Sequence, residues 1–225
     1  MVMLSSALED SARRADLGSV LRPRDPKIIR ALDVVIASVA LVFFLPLMAL
    51  IAIALSLQGG PVLFAHERIG FGGRRFSCLK FRSMVVNAEQ RLHRLLHDNP
   101  EASREWSLNH KLRDDPRVTA FGSFLRKTSF DELPQLFNVL RGDMSIVGPR
   151  PIVDAEVYRY GHRFAYYCAV KPGITGLWQI SGRNDVSYRT RVAMDCLYAK
   201  SIRPKLYLWI VIATVPAVLT QRGCY

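Results

Sequence analysis

Residues Val34 to Leu57 read VVIASVALVFFLPLMALIAIALSL, 24 positions without a charge. At 1.5 Å rise per residue, a run of that length reaches across a bilayer as one helix. It is too long for the apolar core of a signal peptide, and no small-residue cleavage site follows it. Pro46 sits near its middle. The flanks decide how it lies. Lys27 and Arg30 precede it; Arg68, Arg74, Arg75, Lys80 and Arg82 follow. Basic residues mark the cytoplasmic side of a membrane, and a straight span would strand one of the two clusters. A helix broken at Pro46 that dips in and returns keeps both on one side. Its arms, Val34–Leu45 and Leu47–Leu57, would each be roughly 17 Å long, about half the hydrocarbon thickness. The competing geometry is a span merely kinked at proline. In either geometry Asp33 and Gln58 fall near the interface.

The composition agrees with a membrane-bound chain. At 225 residues there is room for one domain, or a domain with an appendage. Half the residues are hydrophobic although 22% are charged, so the apolar residues are concentrated in segments. The net charge of +12 calls for an anionic partner. Cys78, Cys168, Cys196 and Cys224 are scattered with no C-x-x-C pair, which fits a reducing compartment. The expected layout is a mobile arm over 1–26, the re-entrant membrane helix over 27–60, and a membrane-associated cytosolic catalytic domain over 61–225. The fold class is α+β and mostly helical, with short strands and interfacial amphipathic helices.

Chemistry concentrates between Arg126 and Pro151. Leu133, Leu136, Phe137 and Leu140 fall on one helix face. Pro134 is tolerated only in a first turn, so the helix is expected to begin near Asp131. That sets Asp131 and Glu132 at a helix N-terminus, where free N–H groups and the dipole lower carboxylate pKa values and attract anions. Arg126 and Lys127 precede the pair, and Arg150 follows on a stiff Gly148-Pro149-Arg150-Pro151 loop. An acidic pair at a helix start is commonly just a cap. The surrounding cations are what turn the reading toward phosphate chemistry.

Elsewhere, Val62 to Phe76 fits two short strands joined by a glycine-rich turn of neither Walker nor Rossmann spacing. Lys80 and Arg82 stand beside a strand end, where composition alone favours a solvated or headgroup-facing surface. Val85 to Lys111 reads as one or two amphipathic helices broken at Asn99-Pro100. His93, His97 and His110 lack the order of a zinc motif. Glu156 to Tyr167 and Arg189 to Lys200 read as helices. Leu206 to Leu219 is apolar but too short to cross a membrane, so it is interfacial or packed.

Several blocks in one order resemble a known family. They are His66-Glu67-Arg68-Ile69-Gly70, Lys80-Phe81-Arg82-Ser83-Met84, Asp115-Pro116-Arg117-Val118-Thr119, Leu125 to Leu136, Asn138-Val139-Leu140, Gly142-Asp143-Met144-Ser145, Val147 to Pro151, Lys171 to Gly176 and Ser181-Gly182-Arg183-Asn184. From about residue 27 onward the chain resembles the bacterial sugar transferases, monotopic polyprenyl-phosphate hexose-1-phosphate transferases. Its compact length is similar to the exopolysaccharide-initiating members, the undecaprenyl-phosphate galactose phosphotransferases.

The resemblance implies a membrane re-entrant helix, magnesium, a UDP-sugar donor (galactose or glucose) and a polyprenyl-phosphate acceptor. It places the enzyme at the cytoplasmic face of the bacterial inner membrane, with homo-oligomerisation left open. It makes Asp131 the nucleophile and gives Glu132 a part in magnesium binding or proton handling. Lys80, Arg82, Arg126, Arg150 and Arg183 become cations around the phosphates or nucleotide. Two departures stand out. Leu45 replaces a serine frequent before Pro46, and Tyr207 stands where many members carry an aspartate. The alternative is a non-catalytic module that binds anionic lipid at the membrane surface. Nucleic-acid binding finds no supporting signature.

Overall fold

In a computed structural model, residues 26–109, 112, 115–182 and 186–219 are described. The N-terminal arm expected over 1–26 lies almost wholly outside them, as do His110 and Arg183.

Helix α1, Lys27–Leu57, carries the whole apolar run and contains Pro46. Both of its ends are fastened to the domain. Near the start, Arg30 donates to the Val139 and Leu140 carbonyls at 2.6 and 2.8 Å. These carbonyls belong to the last turn of a helix over Gln135–Arg141, where a cation satisfies otherwise orphaned acceptors. Asp33, fully buried, accepts hydrogen bonds from Ser145 Oγ, the Ile146 N–H and Tyr207 Oη at 2.7–2.8 Å. It is therefore built into the body of the domain. Near the other end the Leu55 carbonyl accepts from Arg82 at 3.1 Å. Met48, Ile51 and Leu55 pack there with Phe81 and Leu125. Between the anchors, Val35, Val39, Val42, Phe43 and Leu45 are exposed. They form an apolar belt that water would not tolerate at low cost.

Strands β1, Leu63–Ile69, and β2, Arg75–Phe81, pair antiparallel, with His66 opposite Cys78 and Phe64 opposite Lys80. The glycine-rich turn expected between them is present, with Gly72 and Gly73 both at positive φ. The amphipathic region resolves into α2, Ala88–Asp98, and α3, Pro100–Asn109. Next comes α4, Ala120–Thr128, whose N-cap Thr119 accepts from the Gly122 N–H. A Cβ at Gly122 would lie 1.9 Å from the Ser83 carbonyl oxygen, so only glycine lets α4 lie this close to the end of the hairpin.

The helix expected to open at Asp131 opens later. Ser129, at φ 59°, reverses the chain into a single 3-10 turn, Phe130–Glu132. Helix α5, Gln135–Arg141, then begins after Pro134. The apolar face of this stretch is divided between two clusters. Leu133 and Phe137 pack with Met48, Ile51 and Leu55, whereas Leu136 and Leu140 pack with Ile29 and Ala37. The segment thus braces both arms of α1. Asn138, fully buried, ties it to the hairpin: it accepts from the Leu79 N–H at 3.0 Å and donates to the Ser77 carbonyl at 2.8 Å.

Strand β3, Ser145–Val147, pairs parallel with β4, Gly173–Thr175. Between them the expected Glu156–Tyr167 helix is broken into α6, Val157–Tyr160, and α7, Phe164–Cys168. Gly161 causes the break, with φ 49° and ψ −131°. A short α8, Leu177–Ile180, follows β4. Helix α9, Tyr188–Ser201, follows, then α10, Pro204–Leu219. Tyr207 and Ile210 of α10 are buried, while Leu208, Trp209, Ile212 and Val215 are exposed. This helix is packed on one side and apolar to solvent on the other.

Candidate active site

One cavity of about 1370 Å³ is bounded by the β1–β2 hairpin, α4, the 3-10 turn, the loop after β3 and the α8 region. Asp131 and Glu132 enter it from the 3-10 turn. Lys80 enters from β2, its Nζ 2.6 Å from Glu132 Oε1 and 3.7 Å from Asp131 Oδ2. Register explains the meeting: Lys80 lies next to Leu79, which Asn138 holds against α5 just beyond the acidic pair. Arg126, in the last turn of α4, donates through Nε to Ser83 Oγ at 2.8 Å, and its charge reaches Asp131.

Asp131 is 7% exposed. Burial pushes its carboxyl above the usual carboxylate range and Glu132 adds to that, while Lys80 and Arg126 oppose. The lowered pKa expected of a helix N-terminus is therefore not found. The residue precedes the helix by a full turn, and desolvation outweighs the backbone contribution. A buried carboxylate with a raised pKa is the more basic and the less solvated nucleophile.

The predicted cations divide. Lys80, Arg126 and Arg150 converge on the cavity. Arg82 also lines it, but it is 8% exposed and its Nη2 holds the end of α1 through the Leu55 carbonyl. Arg183 lies outside the described residues. Arg150 arrives on the loop after β3. A Cβ at Gly148 would stand 2.3 Å from the Lys171 carbonyl oxygen, so glycine lets that loop press on the segment before β4.

Sequence reading did not single out several other residues of the cavity. Asp115 and Arg117 form a forked pair at 2.6–3.1 Å. Burial would raise the Asp115 carboxyl, but its bonds to Arg117 hold it below the usual range. Burial, and then the charges of Arg68 and Lys80, lower the His66 pKa below its usual value. Arg68 and Trp178 complete the far wall. The quoted motifs contained His66, Arg68, Asp115 and Arg117 but not Trp178; the missing information was which of them meet.

Among the described residues no cluster of three or more His, Cys, Asp or Glu side chains forms a metal cage. Magnesium does not need one. It prefers hard oxygens, keeps several waters, and takes one or two carboxylates together with substrate phosphates. Asp131 and Glu132, adjacent and open to the cavity, fit that requirement.

The profile of the bacterial sugar transferases matches residues 25–221. The chain belongs to the bacterial sugar transferase family. It is 49% identical over 206 residues to the exopolysaccharide production protein ExoY of Rhizobium meliloti, covering 91% of each chain. It is 49% identical over 196 residues to an undecaprenyl-phosphate galactose phosphotransferase of Salmonella typhimurium. It is 48% identical over 196 residues to a UDP-galactose-lipid carrier transferase of Erwinia amylovora. The latter two alignments cover 87% of this chain but only 41% of those proteins, so the chain spans less than half their length. As a member of this family the protein is a transferase, and its cavity is the place to look for the transfer.

Proposed function

We propose that this transferase moves a hexose-1-phosphate from a UDP-sugar to polyprenyl (undecaprenyl) phosphate, releasing UMP, as the first membrane step of exopolysaccharide synthesis. The observation that carries this is a single buried acid, Asp131, set between Lys80 and Arg126 in a cavity whose domain grips both ends of an apolar helix. The relatives' names supply the lipid carrier and make UDP-galactose the first donor to test.

The Asp131 carboxylate attacks the sugar-bearing phosphorus of the donor. The bond from that phosphorus to the bridging oxygen breaks, and UMP departs with the electron pair. The lipid phosphate oxygen then attacks the same phosphorus and frees the carboxylate, giving polyprenyl-diphospho-sugar. No net proton moves, so the site needs charge neutralisation and alignment more than acid–base groups. Lys80 lies on the acidic pair, where it can follow charge from Asp131 to the phosphoryl oxygens. Arg126, braced by Ser83, faces the same oxygens, and Arg150 approaches from the opposite loop. Asp131 and Glu132 would hold magnesium, which when bound supplies further neutralisation of the diphosphate.

The helix α1 is read here as re-entrant, with both ends at the cytoplasmic face of the inner membrane. Basic flanks on both sides support this, and so does the fastening of Arg30, Asp33 and Leu55 to one domain. A tag at the amino end should stay inaccessible from the periplasm of intact cells; labelling there would overturn the hairpin.

The deciding experiment withholds the acceptor. With magnesium and the right UDP-hexose, the protein should release UMP once per molecule and keep the sugar-phosphate as an adduct, and undecaprenyl phosphate should discharge it. If Asp131→Asn keeps full UMP release, the covalent reading is lost.

A further inference from the structure

A second cationic locus shares the cavity. On one face of the hairpin stand Phe64, His66 and Arg68 of β1, opposite Lys80, Cys78 and Phe76 of β2. Alternate residues of a strand share a face, so Lys80 and Arg68 mark its two ends, roughly 13 Å apart at the backbone. Arg68 donates through Nη1 to the Pro151 carbonyl at 3.5 Å, whereas Lys80 Nζ sits on Glu132 at 2.6 Å. The His66 ring feels both cations, and the Cys78 thiol feels both together with Arg150.

Behind this locus the Arg150 guanidinium lies 5.9 Å from the Trp178 ring, and Arg191 of α9 covers that ring at 4.3 Å. Burial, and then the charge of Arg150, hold the Arg68 and Arg191 guanidinium groups below their usual range. Against these three arginines stands Glu156, 3.9 Å from Arg68 and already accepting from the Val153 N–H. Asp195 lies farther back, bonded to the Tyr160 hydroxyl and pushed up to about 7 by burial. Trp178 Nε1 and Arg191 Nε are buried and bond no acceptor among the described residues. Like charges gathered in a half-buried place, with N–H groups to spare, are costly until an anion joins them.

We propose that Arg68 and Arg150, backed by Arg191 and Trp178, form a phosphomonoester subsite that serves two groups in turn: the phosphate of departing UMP and the phosphate of the arriving lipid acceptor. This rests on the two-displacement reading above. The second displacement is the chemical reverse of the first, with the lipid phosphate in place of UMP. Both monoesters must therefore stand in line with Asp131 across the same phosphorus. One subsite opposite Asp131 meets that need for both. In each direction a monoester oxygen bonds to the sugar-bearing phosphorus while the bond to the Asp131 oxygen breaks, and the carboxylate is regenerated.

The test uses full-length protein in detergent with a pre-formed adduct. Discharge is measured with UMP, with undecaprenyl phosphate, and with water alone. Arg68→Gln should slow both monoester discharges by roughly tenfold to hundredfold relative to hydrolysis of the same adduct, as expected for a lost charge-assisted contact. Arg68→Lys should recover part of that ratio. If Arg68→Gln does not fold, Arg68→Met is read for the same ratio. An unmoved ratio overturns the subsite, and a fall for only one of the two monoesters overturns the sharing. Failure of the unmodified enzyme to form any adduct sinks the covalent reading and this inference with it, whereas an adduct with an unmoved ratio sinks only the subsite.

Discussion

Asp33 and Asp131 are both aspartates removed from solvent, 0% and 7% exposed, yet their surroundings differ in kind. Asp33 accepts three hydrogen bonds at 2.7–2.8 Å, from a hydroxyl, a backbone N–H and a phenol. Asp131 has its nearest ion-pair partner, Lys80, at 3.7 Å, and that lysine is bonded more closely to Glu132. Donors gather on Oδ1 of the first carboxylate and fix α1 to β3 and α10. Cations stand back from the second and leave room for a phosphorus. A tightly bonded buried acid stabilises the fold, whereas one held by charges at longer range keeps its nucleophilicity at some cost in stability.

Exchanging each acid breaks the comparison at its strongest point. Asp131→Asn should lower UMP release at least about a thousandfold, since an amide is no nucleophile here. The thermal midpoint should hold or rise. A carboxyl raised by burial loses stability as pH climbs from its unfolded value through its folded one, and the amide escapes that loss. Activity within tenfold of the parent, or a clear fall in the midpoint, would remove the contrast. Asp33→Ala should do the opposite. Stranding Ser145, Ile146 and Tyr207 donors should cost about 3–5 kcal/mol, seen as a large drop in the unfolding midpoint. Turnover per folded molecule should persist. If the midpoint stays and turnover vanishes, Asp33 has a chemical role that its geometry does not reveal.

The two acids were unequally legible in the sequence. Asp131 announced itself through its neighbours, because its cations and its proline lie within a few positions. The bonding role of Asp33 was hidden, because the partner that buries it most distinctively, Tyr207, is 174 residues away. The same distance problem hid Asn138, which joins α5 to the hairpin 59 residues earlier, and the meeting of Arg68, Arg150 and Arg191. Local rules carried the hairpin turn, the amphipathic pair α2–α3 and α9. They failed where a single dihedral decides, as at Ser129, which delays α5, and at Gly161, which breaks the expected helix. They also misjudged the direction of the Asp131 shift, since burial is a property of the assembled cavity.

Lys80 sharpens the contrast without destroying either side. If Asp131 attacks as proposed, it must be ionised, and the rate should fall as pH drops through its raised pKa. Lys80 pulls that pKa down, so Lys80→Met should move the acid limb of the pH–rate profile to higher pH, as well as lowering the plateau. A lowered plateau with an unmoved limb would mean that Lys80 acts only on the substrate phosphates.

The smallest effect is expected at Tyr207. Its hydroxyl supplies one of the three bonds to Asp33, at 2.7 Å, while its ring stays fully buried. Tyr207→Phe keeps the packing and leaves Ser145 and Ile146 as donors, so it should cost about 1 kcal/mol, or up to about 3 if the carboxylate is charged. That would lower the unfolding midpoint by a few degrees in a domain of this size. Combining Tyr207→Phe with Asp33→Ala measures the pair directly: once the carboxylate is gone, losing the phenol should cost nothing more, or even relieve a stranded donor. Additive losses instead would show that the phenol stabilises α10 through some other neighbour, and that the helix clamp does not depend on its bond to Asp33.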